Sequence, residues 1–278
     1  MVGTTHHGGT PHKSLHPRGF ICGLLGLLLA GPAPLGGQQG TITYTHSVNL
    51  DVELPPELAM MGLDIPPAVS QDMLLHFEPS ASLLVPAPKK KARTREGMFE
   101  MRMVAEMSMF LSMRGMGKKA SVSRSPAAES YVDLGEGRMV ETHQFMGRTF
   151  RVVHQRPEYQ WRLTGEQAEH LGYMVIKATA EHDSTAIEAW FTPQIPVAGG
   201  PGRYGGLPGM ILVVSVDHGH TKYFATEIAL GDVEEGLIRR PEKGDEMSQE
   251  EYDDMVEEKT EEMRKRFGAR RRGNGGGR

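Results

Sequence analysis

Residues 173–191 decide the fold, and they read YMVIKATAEHDSTAIEAWF. Tyr173–Glu181 and Thr185–Phe191 are both rich in β-branched and aromatic residues, which favour strands. Only the polar turn His182–Ser184 separates the two runs. So short a connection joins antiparallel strands, because parallel strands need a crossover of about a dozen residues or more. The stretch therefore predicts a β-hairpin.

Short strand patterns separated by tight turns continue on both sides of this hairpin. We predict further strands at Thr41–Val52, Met73–Phe77, Ser82–Val85, Ser130–Leu134, Arg138–Met146, Thr149–His154, Val213–Val216 and Thr221–Glu227. No long helical pattern lies between them to carry a parallel crossover. The predicted fold is therefore mainly β, a curved antiparallel sheet or half-barrel meander that occupies residues 38–247.

One connection in this meander, Thr164–Gly172, is predicted to contain a single helical turn. Glu166 and His170 would then share one helical face. The His-Glu-x-x-His pattern of zinc enzymes is missing, so we interpret the connection as a solvated turn.

The C-terminal residues 248–267 have the pattern of an amphipathic helix. Ser248 and Glu251 match a capping box, and Arg264–Arg266 closes the pattern with positive charge, which suits the helix dipole. A narrow apolar stripe that includes Tyr252 predicts that one edge of the helix docks on the sheet. The Gly- and Arg-rich tail 268–278 is predicted to be disordered from its composition.

The first 37 residues have the anatomy of a secretory signal peptide. Lys13 and Arg18 precede the apolar run Phe20–Ala30, and small, Pro-broken residues lead to Gly37. The run is shorter than the roughly 20 residues that a membrane-spanning helix needs. We therefore expect export to the periplasm or out of the cell, with no transmembrane segment after cleavage. Cys22 is the single cysteine of the chain, so the exported part would lack a thiol nucleophile or a cysteine zinc site.

A Lys/Arg-rich loop is predicted at 86–97. No aromatic residue interleaves its basic side chains until Phe99, so we expect no nucleic-acid binding. The remaining composition agrees with a globular domain, since 38% of the residues are hydrophobic and 24% are charged.

The segment 98–116 is unusually rich in methionine. Thioethers are soft ligands that select Cu(I), so an exported protein without thiols could hold copper there. The alternative is that the flexible methionines fill an apolar face as leucine would. Strand spacing puts side chains of the same face about 7 Å apart, which favours packing over one shared ion. The candidate copper ligands are Met101, Met103, Met107, Met109, Met113 and Met116.

A Gly/Pro-rich loop precedes the most apolar strand of the chain. The hexapeptide is Gly206-Leu207-Pro208-Gly209-Met210-Ile211, and the apolar run continues to Val214. Glycine permits positive φ and close backbone approach, so the hexapeptide predicts a sharp turn into a buried strand. It lacks the Lys-Ser/Thr pair and following helix of a phosphate loop. We expect Trp190, Tyr204 and Leu207 to rim an apolar cleft on the curved sheet.

The hexapeptide resembles the signature of the GLPGLI family of exported bacterial proteins. The resemblance includes Trp161–Thr164, Gly172-Tyr173 and Ala189–Pro193, and it extends over roughly residues 130–265. Met210 replaces the leucine of the motif, and Val175 stands where relatives often carry cysteine. The resemblance implies export and a mostly β domain, and it implies no activity.

The function that we expect from these observations is non-catalytic binding of an apolar ligand or of a protein partner in the cell envelope. No catalytic residue and no cofactor is assigned. Copper binding through the methionines is one alternative. An uncharacterised hydrolase is the other alternative, and it predicts titratable side chains that converge in one pocket.

Overall fold

The computed structural model describes residues 38–49, 68–88 and 127–273. The predicted signal peptide at 1–37, the six methionines of the copper alternative and most of the predicted basic loop lie outside these residues. The strands are β1 Gly40–Asn49, β2 Ala68–Phe77, β3 Ala81–Pro86, β4 Glu129–Asp133, β5 Arg138–Phe145, β6 Arg148–Gln155, β7 Arg162–His170, β8 Tyr173–His182, β9 Thr185–Thr192, β10 Met210–Val216, β11 Thr221–Leu230 and β12 Asp245–Ser248. Helix α1, Gln249–Gly273, follows β12 directly.

The twelve strands form one open sheet in the order β12-β6-β5-β4-β3-β2-β1-β11-β10-β9-β8-β7. The prediction of a mainly β fold with a C-terminal helix is confirmed. Every neighbouring pair is antiparallel except β12 and β6, which run parallel. This pair can be parallel because the chain reaches β12 through the long connection 231–244 and not through a tight turn, which would impose an antiparallel pair. No helix in the described part of the chain is both long enough and apolar enough to cross a membrane.

Three of the hairpins close with two residues that both have positive φ. The pairs are Met146-Gly147, Leu171-Gly172 and Asp183-Ser184, with φ values from 49° to 82°. Turns of this kind match the right-handed twist of the strands that they join, which explains why they recur in an antiparallel sheet. The predicted hairpin at 173–191 is among them, formed by β8 and β9.

The prediction of a helical turn in Thr164–Gly172 is wrong, because most of this segment belongs to strand β7. This strand pairs with β8 at the edge of the sheet, with a register shift between Leu163 and Gln167. All of its residues except His170 are exposed. The sequence of β7 therefore lacks the alternation of apolar and polar residues that predicts a half-buried strand. Glu166 and His170 therefore share no helical face.

Helix α1 begins at the predicted capping box. The Ser248 backbone N–H donates to the Glu251 carboxylate at 2.7 Å, and the Glu251 N–H donates to the Ser248 hydroxyl at 3.2 Å. Tyr252 packs against Phe150 and Val152 of β6. The helix extends six residues beyond the predicted end at 267, since its last residue is Gly273. Residues 268–273 of the predicted disordered tail thus belong to the helix.

Candidate binding site

The connection between β9 and β10, residues 193–209, folds back onto the sheet and is named the glycine-rich loop here. Ile195, Val197 and Leu207 are buried within it. The loop also runs beside β10, where the Met210 N–H donates to the Ile195 carbonyl at 2.9 Å and the Ile211 N–H donates to Gly199 at 3.0 Å. The loop itself therefore covers much of the apolar surface that the sheet would otherwise present.

The hexapeptide Gly206–Ile211 anchors the end of this loop. Gly209 has a φ of +154°, and a Cβ there would lie 2.7 Å from the carbonyl carbon of Thr192 and closer still to its oxygen. Only glycine fits such a close backbone approach. Gly206 also has a positive φ, of +85°, but open space surrounds it except for the Trp161 ring nitrogen 3.9 Å away. The backbone conformation of the turn thus explains the glycines of the hexapeptide.

The three residues predicted to rim a cleft do not share one rim. Leu207 is buried, and Tyr204 packs against the same apolar cluster, which also contains Phe191 of β9. Trp190 precedes Phe191, and adjacent residues of a strand point to opposite faces of the sheet. Consistent with this, the Trp190 ring lies 5.7 Å from the ammonium group of Lys177, on the other face. The structure brings Tyr204 and Leu207 together and separates Trp190 from them.

A cluster of charged and polar side chains surrounds the buried carboxylate of Glu141. Its oxygen Oε2 lies 3.1 Å from His154 Nε2, 3.5 Å from Arg203 Nη2 and 3.6 Å from His143 Nε2. The other oxygen, Oε1, accepts a long hydrogen bond of 3.4 Å from the Ser130 hydroxyl. We name these five residues the Glu141 cluster.

Strand register explains how the cluster forms. Glu141 and His143 are two residues apart on β5, so they point to the same face of the sheet. Ser130 of β4 is directly opposite Glu141, and His154 of β6 is opposite Met139, one diagonal step away. Arg203 arrives separately, from the glycine-rich loop. The cluster therefore joins the sheet to the loop that covers it.

The carboxyl group of Glu141 is ionised in this environment. Burial alone would raise its pKa, but the polar contacts from His143 and His154 and the positive charge of Arg203 outweigh burial and hold the pKa well below its usual range. His154 then faces two groups that can only accept, because its Nδ1 lies 2.9 Å from the Gln155 carbonyl oxygen.

His143 is the unsatisfied member of the cluster. Its side chain is only 4% exposed, and among the described residues neither ring nitrogen has a partner within hydrogen-bond distance, since Nε2 lies 3.6 Å from the Glu141 carboxylate. The ring instead packs against Tyr252 of α1, with 5.0 Å between the ring centroids. Leaving a buried polar group without a partner costs free energy, so packing of the helix must offset that cost.

A cavity of about 70 Å³ lies beside Glu141 and the tip of the glycine-rich loop. Arg203 borders it and makes no hydrogen bond to any residue in the described part of the chain; its one charged partner is Glu141. Its remaining N–H donors are therefore uncommitted. The cavity has polar and apolar walls in similar measure. It is lined by Met73, Leu84, Ala127, Ser130, Glu141, Gly202, Arg203, Tyr204 and Tyr223.

Aromatic rings extend from this cavity along the sheet. His46 stacks on Tyr223 with 4.2 Å between ring centroids, and Tyr204 lies between Tyr223 and Tyr159 at 6.0 and 5.8 Å. Burial raises the pKa of Tyr204 and of Tyr223, so both hydroxyls stay protonated at neutral pH. Burial also lowers the pKa of His46 to about 4, so this imidazole stays neutral there. Both tyrosines line the cavity.

The Glu141 carboxylate is poorly matched to the role of a general base. A general base works best when its pKa is near the working pH, and the pKa of Glu141 is far below neutrality. Ser130 bonds to this carboxylate rather than to an imidazole, so its hydroxyl is not paired with a histidine of the cluster. Within residues 38–49, 68–88 and 127–273, no group of three or more His, Cys, Asp or Glu side chains is arranged to hold a metal ion. Arg203 would also place a positive charge beside such an ion.

Sequence reasoning did not single out the Glu141 cluster, although one signal was available. In the predicted strand Arg138–Met146, Glu141 and His143 alternate on the same face as the apolar Met139. A charged residue on the buried face of a strand needs a partner. That partner, Arg203, stands among glycines and could not be identified without the tertiary structure.

The chain is similar over residues 158–213 to a family described as a protein of unknown function (Porph_ging). This span ends two residues after the hexapeptide. Two solved structures described as PNGF-II, in two space groups, each match with 15% sequence identity and a TM-score of 0.47. Each match covers 79% of this chain and 33% of the other, so this chain spans about a third of the length of those chains. No curated protein matches the chain.

Proposed function

We propose that this protein is an exported, non-catalytic binding module of the cell envelope, related to the GLPGLI family, and that the cavity beside Arg203 is its ligand site. The observation that carries the proposal is the uncommitted guanidinium of Arg203 at the wall of a cavity. A small ligand that accepts hydrogen bonds would use these donors. The pattern of the first 37 residues supports export.

The energetics of the Glu141 cluster support a binding role. Taking charges out of water costs free energy, and well-packed apolar residues often replace a buried ion pair without loss of stability. Such a pair is therefore weak evidence for stability alone. Here it holds Arg203 in place while leaving donors free, which is the arrangement that preorganised binding requires.

The position of the glycine-rich loop also limits the size of the ligand. The glycine-rich loop covers the apolar surface on which a large apolar ligand was expected to rest, since Ile195, Val197 and Leu207 occupy it. The cavity beside Arg203 is about 70 Å³, well below the several hundred Å³ of drug-sized sites. The proposed ligand, or the part of it that enters, is therefore small.

Native mass spectrometry of the full chain, purified from the envelope fraction of a bacterial host, tests this proposal. Ala127→Phe fills the cavity from its rim, and Ala128→Phe is the matched control because Ala128 does not line the cavity. We expect a retained small-molecule mass in the wild type and in the control, and none in Ala127→Phe. A wild type without retained mass, or equal retention in both variants, would contradict the proposal. Thermal unfolding of all three proteins checks that the variants are folded.

A further inference from the structure

We infer that Arg156 anchors a second binding site, which takes an oxyanion such as a carboxylate or a phosphate group. The inference goes beyond the proposed function, because Arg156 does not line the cavity beside Arg203. Three observations lead to it: the guanidinium of Arg156 is half-buried, the glycine-rich loop holds it in position, and no carboxylate pairs with it in the described part of the chain.

Arg156 differs from the other half-buried arginines that the structure describes. Those two, Arg151 and Arg203, face the carboxylates of Glu246 and Glu141. Within residues 38–49, 68–88 and 127–273, the Arg156 side chain makes one polar contact, with a backbone carbonyl, and no ion pair. A charge that is removed from water normally has a partner of opposite sign. Arg156 therefore lacks the partner that its burial calls for.

The pKa values of Arg156 and Arg203 shift in opposite directions. Burial lowers the pKa of Arg156, and Tyr159 only partly opposes the shift. Burial would also lower the pKa of Arg203, but Glu141 and nearby tyrosines outweigh burial and raise it. Both guanidinium groups stay charged at neutral pH. A bound anion would do for Arg156 what Glu141 does for Arg203.

The fold positions Arg156 from two sides. Its N–H donates to the Gly137 carbonyl at 2.7 Å, and Nη1 donates to the Ala198 carbonyl at 3.3 Å. The guanidinium lies against the backbone of Gly205, where a Cβ would be 2.5 Å from Nη1 and 3.2 Å from Cζ. Gly205 is itself fixed, because Trp161 Nε1 donates to its carbonyl at 2.9 Å. A group that is already held in position loses less freedom when it binds a ligand.

The remaining donors of Arg156 select an oxyanion. A guanidinium carries its N–H groups in one plane, and the contact with Ala198 leaves most of them for a ligand. Parallel N–H groups match two oxygens of a carboxylate or of a phosphate. The next residue of the loop, Gly206, is exposed, so solvent reaches the loop beside the guanidinium. Carboxylic acids and phosphate esters both carry a suitable group.

Thermal unfolding and isothermal titration of the full chain test the inference. Acetate and inorganic phosphate are the probes, and sodium chloride of equal ionic strength is the reference. At ten times its dissociation constant, the anion that binds should raise Tm by about 3–6 °C above the value in chloride. The probe that binds more tightly in the titration identifies the ligand as a carboxylic acid or as a phosphate ester.

Variants connect the binding to Arg156 and correct for the general effect of salts on stability. Arg156→Gln should weaken binding of the preferred probe at least about tenfold and abolish the rise in Tm. Its Tm in chloride should stay close to that of the wild type, because no carboxylate of the described residues loses a partner. Arg162→Gln is the matched control, since Arg162 also makes no ion pair there but is exposed, and it should behave as the wild type. Arg156→Lys keeps the charge and lacks the planar donors, so it should weaken binding at least about threefold; it decides the question if Arg156→Gln does not fold.

Three results would overturn the inference. The first is an equal response of the wild type and the Arg156 variants to both anions, and the second is an equal loss of binding in Arg162→Gln. The third is a Tm of Arg156→Gln that is lowered by the same amount in chloride, acetate and phosphate, because the arginine would then only support the fold. None of these results changes the retained mass that Ala127→Phe is expected to lose, so this inference and the proposed function fail separately.

Discussion

Replacing Glu141 by glutamine removes the negative charge at the centre of the cluster and keeps the shape of the side chain. His154 then loses its 3.1 Å contact with a charged carboxylate, a hydrogen bond of a kind that contributes about 1.5–3 kcal/mol. Arg203, whose side chain is 29% exposed, loses an ion pair at 3.5 Å, which adds up to about 1 kcal/mol. We therefore expect Glu141→Gln to lower the free energy of unfolding by about 2–4 kcal/mol at pH 7.

Urea denaturation followed by circular dichroism measures this change. Glu136→Gln is the matched control, because Glu136 also pairs with an arginine but is 63% exposed, at 3.7 Å from Arg138. An exposed pair of this kind contributes at most about 1 kcal/mol. The slope of the unfolding free energy with urea should be unchanged in both variants, since neither alters the surface exposed on unfolding. Equal destabilisation by the two substitutions would refute the argument that Glu141 is the buried centre of a charge cluster.

Four further predictions follow from the sequence and the structure. The pKa of Glu141 is below its unfolded value of 4.5, so the stabilisation that it provides is complete above that pH and is lost as the pH falls below it; stability measured from pH 6 to pH 3 should fall less steeply in Glu141→Gln than in the wild type. Gly209→Ala should cost at least about 2 kcal/mol in urea denaturation through strain and collision, whereas Gly206→Ala, whose Cβ would make only an ordinary contact with the Trp161 ring nitrogen, should cost about 1 kcal/mol. Substituting leucine for the methionines of 98–116 should leave the Cu(I) affinity unchanged in a competition titration, and a loss of affinity would favour the copper alternative. Intact mass spectrometry of the exported protein should find a chain cleaved near Gly37, and an uncleaved chain in the envelope would contradict the signal-peptide prediction.

Local features of the sequence were sufficient for most of the fold. The hairpin at 173–191 follows from two strand patterns and a short polar turn, and the start of α1 follows from the Ser248–Glu251 capping box. Both depend on residues that are close in sequence. Strand β7 was missed because an exposed edge strand lacks the alternation of apolar residues on which prediction relies.

The candidate site was predictable only in part. Tyr204 borders the cavity, and Leu207 anchors the loop that forms one wall of it. Trp190 lies on the face of β9 opposite to the one that contacts Tyr204 and Leu207. Side chains alternate between the two faces of a strand, so a shift of one residue changes the face that a side chain occupies. The apolar composition of these three residues pointed to a cleft, whereas the contacts point to a small cavity with charged walls.

By itself, the sequence determined a mainly β chain with a capped C-terminal helix and a tight turn into the strand that begins at Met210. These features depend on backbone preferences and on contacts between residues a few positions apart. Only the tertiary structure decided that Glu141, His154 and Arg203 meet. Arg203 is separated by 62 positions from Glu141, and the strand order and the path of the glycine-rich loop bring the two together. A buried charge requires a partner, but which distant residue supplies it depends on how the whole sheet folds.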